Sequence, residues 1–277
     1  MNYFLRKNVN RLMLFATFIC AILAMIPLVL IFSDLLIRGG GALNFDFFTQ
    51  LPKPVGETGG GMANAIAGTL MLILTASAMG VPVGVMGGIY LAEFGKGRFS
   101  SWVRFSADVL SGTPSIVIGI FAYTLFVLPM KGFSGVSGSF ALAIIMIPII
   151  LRTTEEMMRL VPVSLREGAL ALGIHRWKML TFVVLKTAAS GIITAIMLAV
   201  ARIAGETAPL LFTTLGNQYW NFSPLEPTAA LPLQIYTFSI SPYEDWQRQA
   251  LAGAFVLIVI IFLLNALSRL IFHENKN

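Results

Sequence analysis

Charge is what this sequence has least of: lysine, arginine, aspartate and glutamate make up 12% of its 277 residues, against 57% hydrophobic ones. That leaves too little polar surface to cover a globule in water, so the chain reads as a membrane protein. Cysteine occurs once, at Cys20 inside an apolar run, and no intrachain disulfide can form. The two histidines, His175 and His273, lie far apart with no cysteine cluster beside them, so no metal-ligand spacing exists. No Gly-x-x-x-x-Gly-Lys-Ser/Thr phosphate loop occurs either; Gly95-Lys-Gly97 lacks both the spacing and the hydroxyl residue. The chain is expected to hydrolyse no ATP itself and to need no cofactor. An intramembrane enzyme would need a nucleophile, acid or metal cluster inside the spans. Apart from Arg202, Glu206 and the edge residue Asp34, the spans offer none.

What is present is apolar sequence in lengths that suit a bilayer. Leu12 to Phe32 is a 21-residue run behind Arg6, Lys7 and Arg11, longer than the apolar region of a cleaved signal. Residues 38 to 61 form a loop by composition, with glycine triplets at 39–41 and 59–61. A second span runs from about Met62 to Leu91, its glycines suited to close helix contact. After a polar turn, Glu93 to Arg104, a third covers roughly Ala107 to Met130, with Gly112, Pro114 and Gly119 near its start. Lys131 to Gly138 reads as a short turn. The fourth apolar run, Phe140 to Leu151, has 12 residues and must borrow from its flanks, which brings Arg152 toward membrane depth. The fifth runs from about Ala188 to Thr214 and the last from about Ala250 to Phe272, while the Pro-broken stretch Thr228 to Ile240 is too short to cross. Trp102, Trp220 and Trp246 fall near the expected interfaces and read as anchors.

Six spans put both termini on one side, and basic residues choose it. That side carries 14 lysines and arginines against 4 on the other, with Arg202 inside, so both ends are expected in the cytoplasm. The net charge of +6 is then topogenic and no nucleic-acid footprint. Three regions result: an N-terminal segment with first helix and outer loop over 1–61, a five-helix core over 62–272, and a tail over 273–277.

Two features remain unexplained by membrane insertion. In the segment between spans four and five, Ser164 and Glu167 have capping-box spacing and Gly173 supplies a left-handed stop, which predicts a helix over about 164–173. Leu165, Ala169 and Leu172 would share one face. About two turns are too short to stand alone in water, so this helix either rests on the bilayer surface or fits a groove in a partner. The second feature is Arg202 with Glu206, four residues apart on span five and hence on one face. An arginine near the bilayer centre costs roughly 2.5 to 3.5 kcal/mol, so the pair either orients the helix as an internal salt bridge or handles a charged substrate. Gly205 and Pro209 bracket Glu206 and mark either a discontinuous helix or the helix's exit from the membrane.

Glu167-Gly-Ala, then Gly173, then Val183 and Leu185 resemble the EAA loop of ABC importer permeases, whose pattern is EAA, three residues, G, nine residues, I-x-L-P. The spacing matches throughout; Gly168, Val183 and Lys186 depart from it. Gly61 to Leu70, Tyr90 to Glu93, Gly112 to Val117, Gly205 to Phe212 and Ser241 to Trp246 further resemble the permease subunits of phosphate ABC importers. The resemblance implies a type I importer permease fold of six transmembrane helices in the cytoplasmic (inner) membrane of a prokaryote. It implies that Glu167, Gly168, Ala169 and Gly173 dock on an ATP-binding subunit, two of which serve the complex and use its ATP. It also implies a partner permease in a heterodimer, an extracytoplasmic phosphate-binding protein, and contact with membrane lipid. Phosphate would pass along Arg202 and Glu206, with Arg152 a second candidate at the cytoplasmic end. An importer for another oxyanion or small solute is the alternative within the class, and a passive channel the alternative outside it.

Overall fold

In a computed structural model that describes residues 3–273, the chain is a helical bundle; a single isolated bridge, Pro52 to Gly60, is its one extended pairing among those residues. The elements are α1 (Tyr3–Gly39), α2 (Phe45–Thr49), α3 (Ala63–Glu93), α4 (Arg98–Gly112), α5 (Ser115–Met130), α6 (Gly135–Leu160), α7 (Val163–Ala171), α8 (Arg176–Ala204), α9 (Ala208–Thr213), α10 (Leu231–Ser239) and α11 (Glu244–His273). Five of them, α1, α3, α6, α8 and α11, are single helices long and apolar enough to cross a bilayer; α4 and α5, sharply bent at their junction, give a sixth when the pair is counted as one broken span. The expected tail beyond His273 lies outside the described residues.

Small residues fix the central packing. Gly80, Gly84 and Gly88 recur every four residues on α3 and face Met146, Ile150 and Thr154, which recur every four residues on α6. The register rises in the same direction on both helices, so α3 and α6 run parallel, and α4 with α5 carries the chain back between them. A Cβ at Gly88 would stand 2.6 Å from Thr154 Cβ and 2.7 Å from the Leu151 carbonyl oxygen, where backbone cannot give way. Gly88→Ala is therefore expected to destabilise the protein by about 1 to 3 kcal/mol, more than the roughly 1 kcal/mol of helix propensity it gains. A lowered thermal midpoint in detergent checks this; a raised one would show that α3 can shift.

Around that pair, Ile118, Leu142, Ile145, Ala199, Ile203 and Leu210 close the main core. α1 packs its C-terminal part on α11, with Gly39 against Ala252, Phe32 against Phe255 and Leu35 buried, while the large apolar side chains before it stay exposed, as on a lipid-facing helix. At one end α10 and Trp246 cover α3 and α11. Trp246 is buried there, stacked on Phe238 at 4.3 Å, so the expected interfacial anchor is a core residue; Trp102 and Trp220 are exposed.

The third span departs most from expectation. Instead of starting at about Ala107 behind a polar turn, the chain is already helical at Arg98, stops at Gly112, and bends by 106° before restarting at Ser115. Pro114 is the cause: its ring excludes the helical region for Thr113, which adopts φ −74°, ψ 131°. The fourth span borrows from both flanks as anticipated, reaching from Gly135 to Leu160; Ser134, placed by sequence in a turn, caps it by accepting from the Ser137 N–H. The fifth begins earlier than Ala188, at Arg176, passes through a π-helical stretch at Met179–Val184 and runs unbroken past Lys186. Thr228 to Ile240 does not cross; it forms the short α10.

Candidate functional site

Two chain breaks face each other in mid-bundle. α8 ends at Ala204, Gly205 closes it with its N–H on the Arg202 carbonyl, and Glu206 and Thr207 lead into α9. Pro209 lies in the first turn of α9, where a missing N–H costs nothing. α9 packs closely on α5: a Cβ at Gly119 would come within 2.7 Å of Pro209 Cα. Arg202, in the last turn of α8, enters a small cavity shared with Ser111, Thr113, Ser115, Ile118, Ile145 and Ile149. Ile145 and Ile149 are midway along α6, a helix about 39 Å long, so the cavity that Arg202 lines opens beside the middle of that helix.

Arg202 Nε is 3.8 Å from Glu206 Oε1, beyond hydrogen-bond reach. The carboxylate lowers the cost of placing the guanidinium there without occupying its donors. Glu206 is largely enclosed at 17% side-chain exposure and Arg202 is open at 52%, so the cation can reach a solute that the carboxylate does not touch.

Arg152 lies elsewhere, one turn beyond Ile149 on α6 toward the α7 end. Its Nε is 3.0 Å from Asp108 on α4 and its Nη1 3.2 Å from Glu155. Sequence reasoning missed the centre of this cluster. Glu155 is buried and also meets Arg104 Nε and Arg159 Nη2, each at 2.7 Å, while Arg104 Nη2 donates to the carbonyls of Leu91 and Gly95. The signal available was helical spacing: Arg152, Glu155 and Arg159 stand at i, i+3 and i+7.

At the same end lies α7, which carries the EAA-like residues. It begins at Val163 with Pro162 as its N-cap and no side-chain cap, so the capping box expected from Ser164 and Glu167 does not form. Its C-terminus is as expected. Gly173 has φ +76°, its N–H donates to Leu170, and the Ile174 N–H donates to Ala169, which is a Schellman closure. The predicted single apolar face is split, because Ala169 is buried while Leu165 and Leu172 are exposed. Ala169 anchors the helix on Met158, Val161, Met179 and Val184; Glu167 and Gly168 face outward with the two leucines. Arg166 pairs with Glu93 at the end of α3 and donates to the Met158 carbonyl at 2.7 Å, so α7 is tied to the two parallel central helices.

Apolar spans broken around an arginine are the arrangement of a transport permease. The family model described as the inner membrane component of binding-protein-dependent transport systems matches residues 84–274. The phosphate transport system permease protein PstA of Yersinia pestis is 45% identical over 276 residues, covering 98% of this chain and 92% of that protein. PstA of Haemophilus influenzae is 43% identical, covering 100% and 98%. The chain belongs to the binding-protein-dependent permease family, in its PstA branch. Among solved structures, an inward-facing MetNI methionine ABC transporter superposes with a TM-score of 0.60 at 16% identity, over 78% of this chain and 94% of that one. An amino acid ABC transporter does so at 0.55 and 19%, over 76% and 92%. These two likenesses bear on the fold alone, that of a type I importer permease.

Proposed function

We propose that the chain is the permease half of an ATP-driven phosphate importer, with Arg202 as the cation that receives the anion at mid-depth. The observation that carries this reading is the loose Arg202–Glu206 pair: a bridge built only for stability would be closed, whereas 3.8 Å leaves the guanidinium fork open to a tetrahedral oxyanion. Phosphate is the anion that the names of the relatives supply. Glu206 keeps the arginine soluble in the bilayer between turnovers and restrains it when phosphate leaves.

The exposed half of Arg202 is the face a second permease would close, which makes the pathway shared between two chains. On α7, Glu167, Gly168 and the flanking Leu165 and Leu172 form the knob for an ATP-binding subunit, one on each permease, with Ala169 and Gly173 holding its shape. The α7 end then faces the cytoplasm of a prokaryotic cell, both termini lie there, and α2 and α10 sit at the outer face of the inner membrane, where a phosphate-binding protein delivers. Arg152 is already held by Asp108 and Glu155, so contact with phosphate would require it to leave both.

The experiment is ATP hydrolysis by the purified complex. A phosphate-loaded binding protein should stimulate it severalfold and drive labelled phosphate into vesicles. Stimulation by another loaded solute in place of phosphate would sink the substrate assignment, and flux with the ATPase disabled would identify a channel.

A further inference from the structure

The stretch Gly112-Thr-Pro-Ser-Ile-Val117 has no part in the scheme above, yet its Thr113 and Ser115, with Ser111 just before it, line the same cavity as Arg202. Resting on the phosphate reading, we propose that the hydroxyls of Ser111 and Ser115, presented by the break in the third span, form the second half of the oxyanion site.

Serine and threonine hydroxyls inside membrane helices ordinarily bond back to a carbonyl one turn earlier, which removes their polarity from the lipid. Thr75, Thr187 and Thr194 do so here, at 2.8, 2.7 and 2.8 Å. Thr113 does the same, donating to the Val109 carbonyl at 2.8 Å. Ser111 and Ser115 share the cavity with Arg202, and among the described residues neither hydroxyl has a partner within the chain. Pro114 explains why they converge. A straight helix would set residues 111 and 115 one turn apart along the same wall, but the 106° bend between them folds both into one concavity around Thr113.

The chemistry of these groups suits the half of the anion that arginine leaves free. A guanidinium grips one edge of a tetrahedral oxyanion through two oxygens, and the other two need donors of their own once water is left behind. A second cation there would hold the anion too tightly for it to move on, since conduction requires sites that bind and then release. A neutral hydroxyl avoids that, and it donates to P–O⁻ or accepts from P–OH, so it serves phosphate in either protonation state. Beyond Thr113, whose hydroxyl is taken by the Val109 carbonyl, the remaining lining of Leu110, Ile118, Ile145 and Ile149 supplies no competing polar side chain.

The test uses the full transporter in cells lacking their own phosphate importer, and the same complexes purified. Ser111→Ala combined with Ser115→Ala is expected to lower labelled phosphate uptake roughly 10- to 100-fold, the loss of one or two hydrogen bonds to an anion. ATPase stimulation by the phosphate-loaded binding protein should stay within about 2-fold of wild type, because the α7 end is untouched. Ser111→Thr with Ser115→Thr, which restores both hydroxyls, should return uptake to within about 3-fold. Wild-type uptake in the alanine variant overturns the proposal, as does a threonine variant as poor as the alanine one, or an ATPase that falls in step with uptake. A wild-type complex that takes up no phosphate overturns the substrate reading and this site with it; normal wild-type uptake beside an unaffected alanine variant overturns the site alone.

Discussion

Arg202→Gln should abolish phosphate uptake, by roughly 100-fold or more, while the complex assembles as before. The size follows from what glutamine keeps: it retains a neutral donor but loses the charge and the second arm of the fork, and bonds to a charged group contribute about 1.5 to 3 kcal/mol each. At about 1.4 kcal/mol per decade, two such bonds suffice for the loss. Assembly should survive because the bond removed from the fold is weak. The 3.8 Å contact with Glu206 is a through-space attraction, and Arg202 is half exposed, with no close packing to collapse. Arg202→Lys separates charge from geometry: a lysine keeps the cation and loses the planar fork, so uptake should recover in part. Labelled uptake beside size-exclusion of the solubilised complex measures both quantities. Persisting uptake with Gln would make the pair a structural bridge.

The helices that read well from sequence are those whose signal is local. α3 was legible because glycines at four-residue spacing announce a close neighbour, and Met146, Ile150 and Thr154 are that neighbour. Gly173 was legible because its positive φ needs nothing beyond the residue itself. The bend in the third span was not legible because hydropathy averages over a window, whereas the bend is decided by one proline ring and one dihedral pair. Ser164 and Glu167 had the right spacing for a capping box, but Pro162 takes the N-cap position and the helix starts before Ser164. The surroundings of Arg202 were hidden because Ile145 and Ile149 lie on another helix, and only the fold brings them to the same cavity. Glu155 was hidden for another reason: one of its partners, Arg104, lies 51 residues away on α4, and no periodicity reports a contact between elements.

Glu155→Gln is expected to be the most destabilising change among the charged residues, and the reason links the two ends of the proposed machine. The Glu155 side chain is 3% exposed and gathers Arg104, Arg152 and Arg159. Removing its charge leaves three guanidinium groups facing one another with Asp108 as the nearest remaining counter-charge. Breaking a buried pair in this way costs about 3 to 5 kcal/mol, since the desolvated partner is left uncompensated. For a chain of this size that lowers the thermal midpoint by roughly 10 °C. Glu244 gives the control. Its pair with Arg248 is exposed on both sides, 84% and 63%, and Glu244→Gln should cost under about 1 kcal/mol. Equal midpoints for the two variants would show that the Glu155 cluster is no more than a surface network. The cluster also joins α6 to α4 through Arg104 and Arg152, and to the end of α3 through the Leu91 and Gly95 carbonyls, two residues from the Glu93 that holds Arg166 of α7. Motion imposed on α7 thus has a rigid route to α4, and α4 ends at the bend that faces Arg202. A milder variant isolates this step. Asp108→Asn frees the half-exposed pair nearest the bend at little cost in stability, and it should reduce phosphate moved per ATP severalfold while hydrolysis continues. Unchanged stoichiometry would mean that α4 takes its position from packing of its Ala107 on Leu91 and Leu151 instead of from the ion pairs.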